Sequence, residues 1–448
     1  MKPLKFLLII ACFLAFSGKI WSQEVVTLNL EQAKQIALQN NYNLRNSLND
    51  IEVARYQVKE TIATGLPQVS ATVSYNDNIG LPVQLVPGDF FGQPGQEIEV
   101  QFGTKYSSSA SATLNQLLFS GSYIVGLQAA KSFLEQSEKN YQKNRIEVIK
   151  SVSEAYFLVL ATQESIEVID STLSITRKLA YQTGIIVENG FGEETDLDQF
   201  ELLVSELEIA RTNALNQHNI AESFLKYQLG MDDKKTIVLT QTITGLIDTS
   251  APQTVMTKPF ELSNNIDYRI LKNQQHLALL QLRLEKSAYL PTLSAFLNYQ
   301  TQAQRQEWDF LDTKGKWYSS SVLGVTMNIP IFSSGERYSK VKQAYFQFEK
   351  TKVAEEQIST SLKLQYETIL NELNNALLTY ENSIKNKAVA EKIFQRTGVK
   401  YTEGLAGSLD FLNAHNQYLN TQSQYINAAL NVLNKTTSLE SLLSSTIN

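Results

Sequence analysis

The 448-residue sequence predicts a mainly α-helical protein with a small β part, built as two copies of one unit: helix, β-hairpin, very long helix, turn, long helix. Three observations carry this: the spacing of proline and glycine, a helical apolar period, and a motif series that occurs twice. The nine prolines stand at 3, 67, 82, 87, 94, 252, 259, 291 and 330, so none falls between Pro94 and Pro252 and none after Pro330. Glycine is absent between Gly126 and Gly184 and between Gly335 and Gly398. A helix-interior proline costs ~3 kcal/mol and a glycine ~1 kcal/mol, so these two open stretches are where very long helices can form. Each has about 60 residues, roughly 90 Å of helix at 1.5 Å per residue.

Periodicity agrees. Ile358, Leu362, Tyr366, Ile369, Leu373, Ala376, Tyr380 and Ile384 form one stripe, seven steps over 26 residues. A step of about 3.7 is helical and asks for no tight left-handed supercoil. The neighbouring faces are rich in Asn, Gln, Ser, Glu and Lys. So narrow a stripe suits helices packed side by side in one layer.

The segments around the other prolines read as strands. Val69 to Tyr75 alternates, as does much of Ile98–Phe119, and Leu293–Gln302 and Trp317–Ile331 are rich in Ser, Thr, Tyr, Val and Trp. This predicts four strands in two hairpins, at about 68–119 and about 292–332. Gly80–Gln96 holds three prolines and four glycines and reads as an exposed loop. Trp308 and Trp317 fall in the second hairpin, near Tyr299, Phe310 and Tyr318. Aromatics beside alternating segments suit a membrane barrel, and equally a soluble hairpin with core aromatics.

The repeat is visible in the residues. Gly65-Leu66-Pro67 through Tyr75 matches Tyr289-Leu290-Pro291 through Tyr299, and Asn115–Gly121 (NQLLFSG) matches Asn328–Gly335 (NIPIFSSG). Asn189-Gly190 followed by Asp196 matches Glu403-Gly404 followed by Asp410. The first copy spans 23–230, with a long helical hairpin at about 122–230. The second spans 259–448, with its helical hairpin at about 336–445. Residues 231–258 link them.

Lys2 and Lys5, the apolar run Phe6–Phe16 and the small residues up to Ser22 read as a secretory signal peptide, 1–22, cleaved near Ser22. Ile9-Ile10-Ala11-Cys12 also fits a lipobox, so acylation at Cys12 stands as the alternative. Beyond residue 22 the chain carries 36 bases against 45 acids, or −9, the wrong sign for a nucleic-acid partner. Cys12 is the one cysteine and there are three histidines, with no HExxH spacing and only Met231, Met256 and Met327 as later methionines. Metal and nucleophile constellations are therefore not expected. No later run is long and apolar enough for a membrane helix, so a membrane-spanning form must be a closed β-barrel. Four strands are too few to close one, since about eight are needed, so subunits must pool them. A dimer and a trimer both remain open on these grounds.

From about Leu28 to about Leu443 the chain resembles the TolC family of bacterial outer-membrane efflux channels. The resemblance is carried by Leu30-Glu31-x-Ala33-x-x-x-Ala37, both Leu-Pro strand starts, both Phe-Ser-Gly elbows, Leu229-Gly230 and both glycine turns. Tyr42, after Asn40-Asn41, departs from a proline common in the family. The resemblance implies a homotrimer in outer-membrane lipid, with a 12-stranded barrel continued by a 12-helix periplasmic α-barrel and an equatorial belt at 231–258. It implies the exit duct of a tripartite efflux or type I secretion system, with a periplasmic adaptor and an inner-membrane transporter as partners. It implies neither an enzyme nor a cofactor. The turns, with Gly190, Phe191, Gly404 and Leu405 at their ends, would be the adaptor-docking tips. Tyr299, Trp308, Trp317 and Tyr318 would mark the membrane interface. Asp410 would stand in the aspartate ring that narrows the tunnel, with Asn413 where a second ring aspartate often sits. Asp196 and Tyr401 would form an inter-hairpin pair, and Ala406 replaces an arginine found in some members. Asp196 and Asp410 also have a plainer reading as helix N-caps.

Two alternatives differ in class. An exported, elongated α-helical structural or adhesin-like protein would keep the long helices but has no need for hairpins at matching places in both halves. A secreted hydrolase would need convergent nucleophile and base groups that the sequence does not offer.

Overall fold

A computed structural model describes residues 25–92, 94–312 and 315–444. The expected signal peptide, its cleavage site and Cys12 lie outside them. In chain order the elements are β1 (Val25–Leu28), α1 (Leu30–Asn40), α2 (Tyr42–Thr64), β2 (Gln68–Asp77), β3 (Val83–Pro87), β4 (Glu97–Gln101), β5 (Tyr106–Phe119), α3 (Gly121–Glu188), α4 (Glu194–Leu229), β6 (Thr236–Leu239), α5 (Ile243–Ser250), α6 (Pro252–Met256), α7 (Ile266–Ser287), β7 (Thr292–Arg305), β8 (Tyr318–Asn328), α8 (Glu336–Thr402) and α9 (Ser408–Leu443). The breaker-free stretches do become single helices, α3 of 68 residues and α8 of 67. Among the described residues there are eight strands rather than four. The extra ones are the parallel pair β1–β6 and the hairpin β3–β4, which falls partly in the Gly80–Gln96 segment expected as loop.

The chain forms two compact units, and each takes segments from both repeats. One comprises Asp50–Lys139 and Ile270–Gln357. Its centre is an antiparallel sheet of order β2-β5-β7-β8. The register sorts the side chains strictly. Val69, Ala71, Val73 and Tyr75 pair with Leu114, Ala112, Ala110 and Ser108. Leu114 and Ala112 pair in turn with Leu297 and Tyr299, and Ala295 and Leu297 with Val325 and Leu323. One face is thus apolar almost throughout. The other carries Ser70, Thr72, Ser74, Ser109, Ser111, Thr113, Asn298, Gln300 and Ser320. Hydrogen bonds run across it, Ser74 to Ser109 at 2.7 Å and Asn298 Nδ2 to Thr113 Oγ1 at 2.7 Å. Strands β2 and β8 are the sheet's edges, each paired on one side only.

The other unit takes the chain up to Asn49, Asn140–Arg269 and Ile358 onward. Its core joins Ala33 and Ala37 of α1, Val152 and Tyr156 of α3, Leu225 and Leu229 of α4, Leu373 of α8 and Val432 of α9. The linker is part of this core, since Ile243, Leu246, Ile247 and Val255 are buried in it. Tyr156 sits at its centre, donating to Leu28 O at 3.2 Å, and burial pushes its phenol pKa up to about 12.

The repeat extends to a detail that the motifs did not reveal. Buried Asn41 accepts from the backbone N–H of Asn43 at 2.9 Å and donates Nδ2 to Gln228 O at 2.8 Å. Asn265 does the same, accepting from Asp267 N at 3.0 Å and donating to Leu442 O at 3.1 Å. Each amide caps the helix that leads to a hairpin and ties it to the last turn of the matching long helix. The signal in the sequence is the pair Asn40-Asn41 and Asn264-Asn265.

Gly230 ends α4 in the left-handed region, at φ +64°, and a Cβ there would lie 2.4 Å from Asn40 O. Gly230→Ala should therefore cost ~2–4 kcal/mol, the sum of left-handed strain and a backbone clash. A fall in urea midpoint of that size checks it, whereas Gly126→Ala, with open space around the site, should be neutral or slightly stabilising.

The buried positions of the long helices follow a spacing of three and four residues. On α9 the inward positions are Ser408, Phe411, His415, Tyr418, Gln422, Tyr425, Ala429, Val432, Thr436 and Leu439, an unbroken 3–4 spacing, all buried except the half-buried Tyr418. On α8 the stripe keeps Leu373, Ala376 and Tyr380 but continues through Ser383, Ala390 and Phe394, leaving Ile384 43% exposed. The expected stripe therefore holds as far as Tyr380 and passes to Ser383 beyond it. A 3.5-residue seam is what lets neighbouring helices stay in register through a left-handed supercoil.

Candidate functional site

The two turns between long helices are built alike. Helix α3 ends at Gly190, φ +78°, which donates to Val187 O at 2.9 Å, while Phe191 N reaches Ile186 O at 3.0 Å. Helix α8 ends at Gly404, φ +70°, which donates to Tyr401 O at 3.0 Å, while Leu405 N reaches Lys400 O at 2.8 Å. Both are Schellman caps, in which glycine takes the left-handed position and the next residue closes the outer bond. That next residue is usually tucked against the helix. Here Phe191 is 87% exposed and Leu405 77% exposed. Two apolar side chains thus stand in water at equivalent places of the repeat.

Just past each turn the acids settle one turn deeper than an N-cap. Asp196 and Asp410 are each the third residue of their helix. The cap positions belong to Glu193, which makes no side-chain cap bond, and to Gly407. Asp410 instead accepts from the Gly407 backbone N–H, at 3.1 Å, the returning half of a capping box. Asp196 accepts from the Ser408 hydroxyl at 2.5 Å, joining the first helical hairpin to the start of α9. Asn413 lies one turn beyond Asp410 and is exposed like it.

Tyr401 does not hydrogen-bond Asp196 as the pair was expected to. Its hydroxyl meets Thr183 Oγ1 at 2.7 Å, so the two hairpins are linked twice, Thr183 with Tyr401 and Asp196 with Ser408. Burial raises the Tyr401 pKa above the ordinary phenol value, the Thr183 bond opposes this, and the Asp196 charge adds to it. Behind the links lies an aromatic core. Phe200 and Phe411 are fully buried, their rings 5.5 Å apart, and Phe394 and Tyr401 pack beside them with Leu173, Leu179, Leu203 and Leu207. Thr183 and Ser408 were not singled out in the sequence. The heptad that starts at Ser408 is the signal for one of them.

On the sheet, Tyr299 lies mid-strand on the apolar face, opposite Ala112 and Ser321. Tyr318 is different. It pairs with Gln302 and so shares the polar face with Ser320, which removes it from the expected row of interface aromatics. Trp308 and Trp317 lie in the β7–β8 connection, outside the strands, where Trp317 packs edge-on to Phe310 at 6.3 Å. Among the described residues, no group of three or more His, Cys, Asp or Glu could hold a metal, and no helix is long and apolar enough to cross a membrane.

A mainly helical chain with long paired helices and a small two-faced sheet is the architecture of known outer-membrane channels. The CmeC outer membrane channel of Campylobacter jejuni superposes with a TM-score of 0.70 at 17% identity, covering 93% of this chain and 85% of that one. The outer membrane protein VceC of Vibrio cholerae superposes with a TM-score of 0.69 at 15% identity, covering 92% and 95%. The fold is therefore TolC-like. In sequence, the chain is 22% identical over 422 residues to the outer membrane protein TolC of Vibrio cholerae serotype O1, over 92% of this chain and 89% of the relative. The family model for outer membrane efflux proteins matches residues 33–230 and 261–445. The chain belongs to the outer membrane efflux protein family, and its place is the outer membrane.

Proposed function

We propose that the protein is the exit duct of a tripartite efflux or type I secretion assembly, a homotrimer that passively conducts what an inner-membrane transporter delivers through a periplasmic adaptor. The observation that carries this is the sheet. It has an apolar face, a face of hydroxyls and amides, and two edges with unpaired backbone. In lipid an open edge leaves N–H and C=O groups unsatisfied, so β8 of one copy must meet β2 of the next. Three copies of four strands close a barrel whose lumen is the polar face. The long helices then form the periplasmic tunnel, with 231–258 in an equatorial belt.

The turns Gly190–Phe191 and Gly404–Leu405 are the adaptor-docking tips in this reading, since each presents a lone apolar side chain on a rigid cap. Asp410, with Asn413 rather than a second acid beside it, gives a ring of three carboxylates at the tunnel mouth. Such a ring concentrates field, attracts cations and resists anions. Tyr401 and Asp196, through Thr183 and Ser408, hold the hairpins of one copy together.

The test is direct. The protein should fractionate with the outer membrane, run as a heat-modifiable trimer and conduct in planar bilayers. Asp410→Ala should lower cation preference, moving the reversal potential in a salt gradient toward zero. A lone, non-conducting subunit ends the channel reading and favours the helical structural protein. An unchanged reversal potential in a conducting trimer removes only the role of Asp410.

A further inference from the structure

The seam of α9 is polar at nearly every seventh residue. Ser408, His415, Gln422 and Thr436 share one heptad position, while Phe411, Tyr418, Tyr425, Val432 and Leu439 fill the other. All four polar side chains are buried. Ser408 is bonded to Asp196, and Thr436 Oγ1 donates to Val432 O at 2.7 Å. The other two are left short, since neither Gln422 Oε1 nor His415 Nε2 has a hydrogen-bond partner. Of these only His415 can take up a proton; it is 1% exposed, and its Nδ1 has only Asn416 Oδ1 at 3.4 Å.

The surroundings of the ring are apolar. Phe394 of α8 lies 6.0 Å away, and Phe411 of its own helix 6.3 Å away. From α4 the Glu206 carboxylate acts on it through space, while Glu391 of α8 acts on Tyr418 instead. One copy of the chain buries the ring by itself. No neighbouring subunit or adaptor reaches Nε2 while the seam is closed.

We propose that His415 is an acid-sensitive latch: the closed seam holds the neutral imidazole, and protonation parts α9 from α8 and α4 and frees the hairpin ends. A charged imidazole here has one long hydrogen bond and a remote carboxylate, far less than a buried cation needs, and water becomes available only when the seam opens. Burial accordingly holds the His415 pKa below the ordinary histidine value, outweighing Asn416 and Glu206. The direction follows from linkage. Above the ordinary value, about 6.5, the seam keeps its full stability, and it weakens as pH falls from there toward the lower value of the closed state, because the open state binds the proton more tightly. His218 serves as control, since its Nδ1 has Thr162 Oγ1 at 3.0 Å. The consequence for conduction rests on the channel reading; the latch itself does not.

The test uses the full-length protein, compared with His415→Gln, His415→Phe and His218→Gln. Proteolysis at the two turns is followed from pH 7.5 to 5.5 and normalised to an unstructured peptide with the same cleavage site. The wild type and His218→Gln should be cut at least ~3-fold faster at the acid end, and both His415 variants should change less than twofold. An equal rise in all four proteins, or no rise in the wild type, overturns the latch. If the variants do not fold, hydrogen–deuterium exchange at the imidazole carbon of the wild type replaces them. Slow exchange with a half-point below the ordinary histidine value supports the latch, and an ordinary half-point overturns it. Conductance is recorded on the same preparations. Acid-loosened turns without any conductance would sink the channel reading and leave the latch standing.

Discussion

Leu297→Arg is expected to abolish outer-membrane assembly, while Asn298→Arg, one residue along the same strand, leaves the trimer intact. Leu297 lies between Leu114 and Leu323 on the apolar face. In the proposed barrel, an arginine facing lipid at the bilayer midplane costs ~2–4 kcal/mol in each copy. Asn298 lies between Thr113 and Val322 on the other face, where its amide donates to Thr113 Oγ1. Replacing it loses one bond worth ~1 kcal/mol but, in the proposed barrel, leaves the charge on the lumen side. Semi-native gels of outer-membrane fractions give the result. Equal loss of the trimer band in both variants would mean that the two faces have been assigned wrongly. Equal retention would mean that the sheet does not meet lipid.

Phe411→Ala should open the hairpin ends without touching the sheet. Phe411 is fully buried, with Phe394 at 5.4 Å, Phe200 at 5.5 Å, His415 at 6.3 Å and Tyr401 at 6.5 Å between ring centroids. Emptying that volume costs ~3–5 kcal/mol, because four rings from three helices cannot all collapse into the gap. Tyr401 loses the wall that aims its hydroxyl at Thr183. The expected result is rapid proteolysis at both turns and a leaky tunnel in a trimer that still assembles. Phe191→Ala, at an exposed tip, should change stability by less than ~0.5 kcal/mol. Protection of the Phe411→Ala turns equal to the wild type would show that the aromatic cluster does not hold the hairpins closed.

Much of this architecture is legible before any coordinate is known. Proline and glycine act through the backbone of a single residue, so their absence from two long stretches specifies α3 and α8 directly. The hairpins follow from period-two alternation, and the duplication from matched punctuation. The site is less legible. Asp196 and Asp410 look like N-caps, but the Schellman turns and the short segments after them place each at the third helical position. From that position Asp410 reaches back to the Gly407 N–H of its own helix, whereas Asp196 reaches Ser408 across the hairpin. Tyr318 looks like a partner of Tyr299, but its face is set by pairing with Gln302, across a connection whose length no local pattern specifies. Ile384 looks like the next step of a helical stripe. Past Tyr380 the buried positions are Ser383, Ala390 and Phe394, so Ser383 takes the inner place.

Local residue pattern alone specified where helices run unbroken, where the two main hairpins alternate, and that the unit is duplicated. These depend on each residue's own conformational preference and on its nearest neighbours along the chain. Only the tertiary structure decided which tyrosine joins the apolar face, which hydroxyls tie the two hairpins together, and that His415 is sealed without a partner for Nε2. Those outcomes depend on register between segments far apart in the chain, and a shift of one residue exchanges the buried side of a strand or helix for the exposed one.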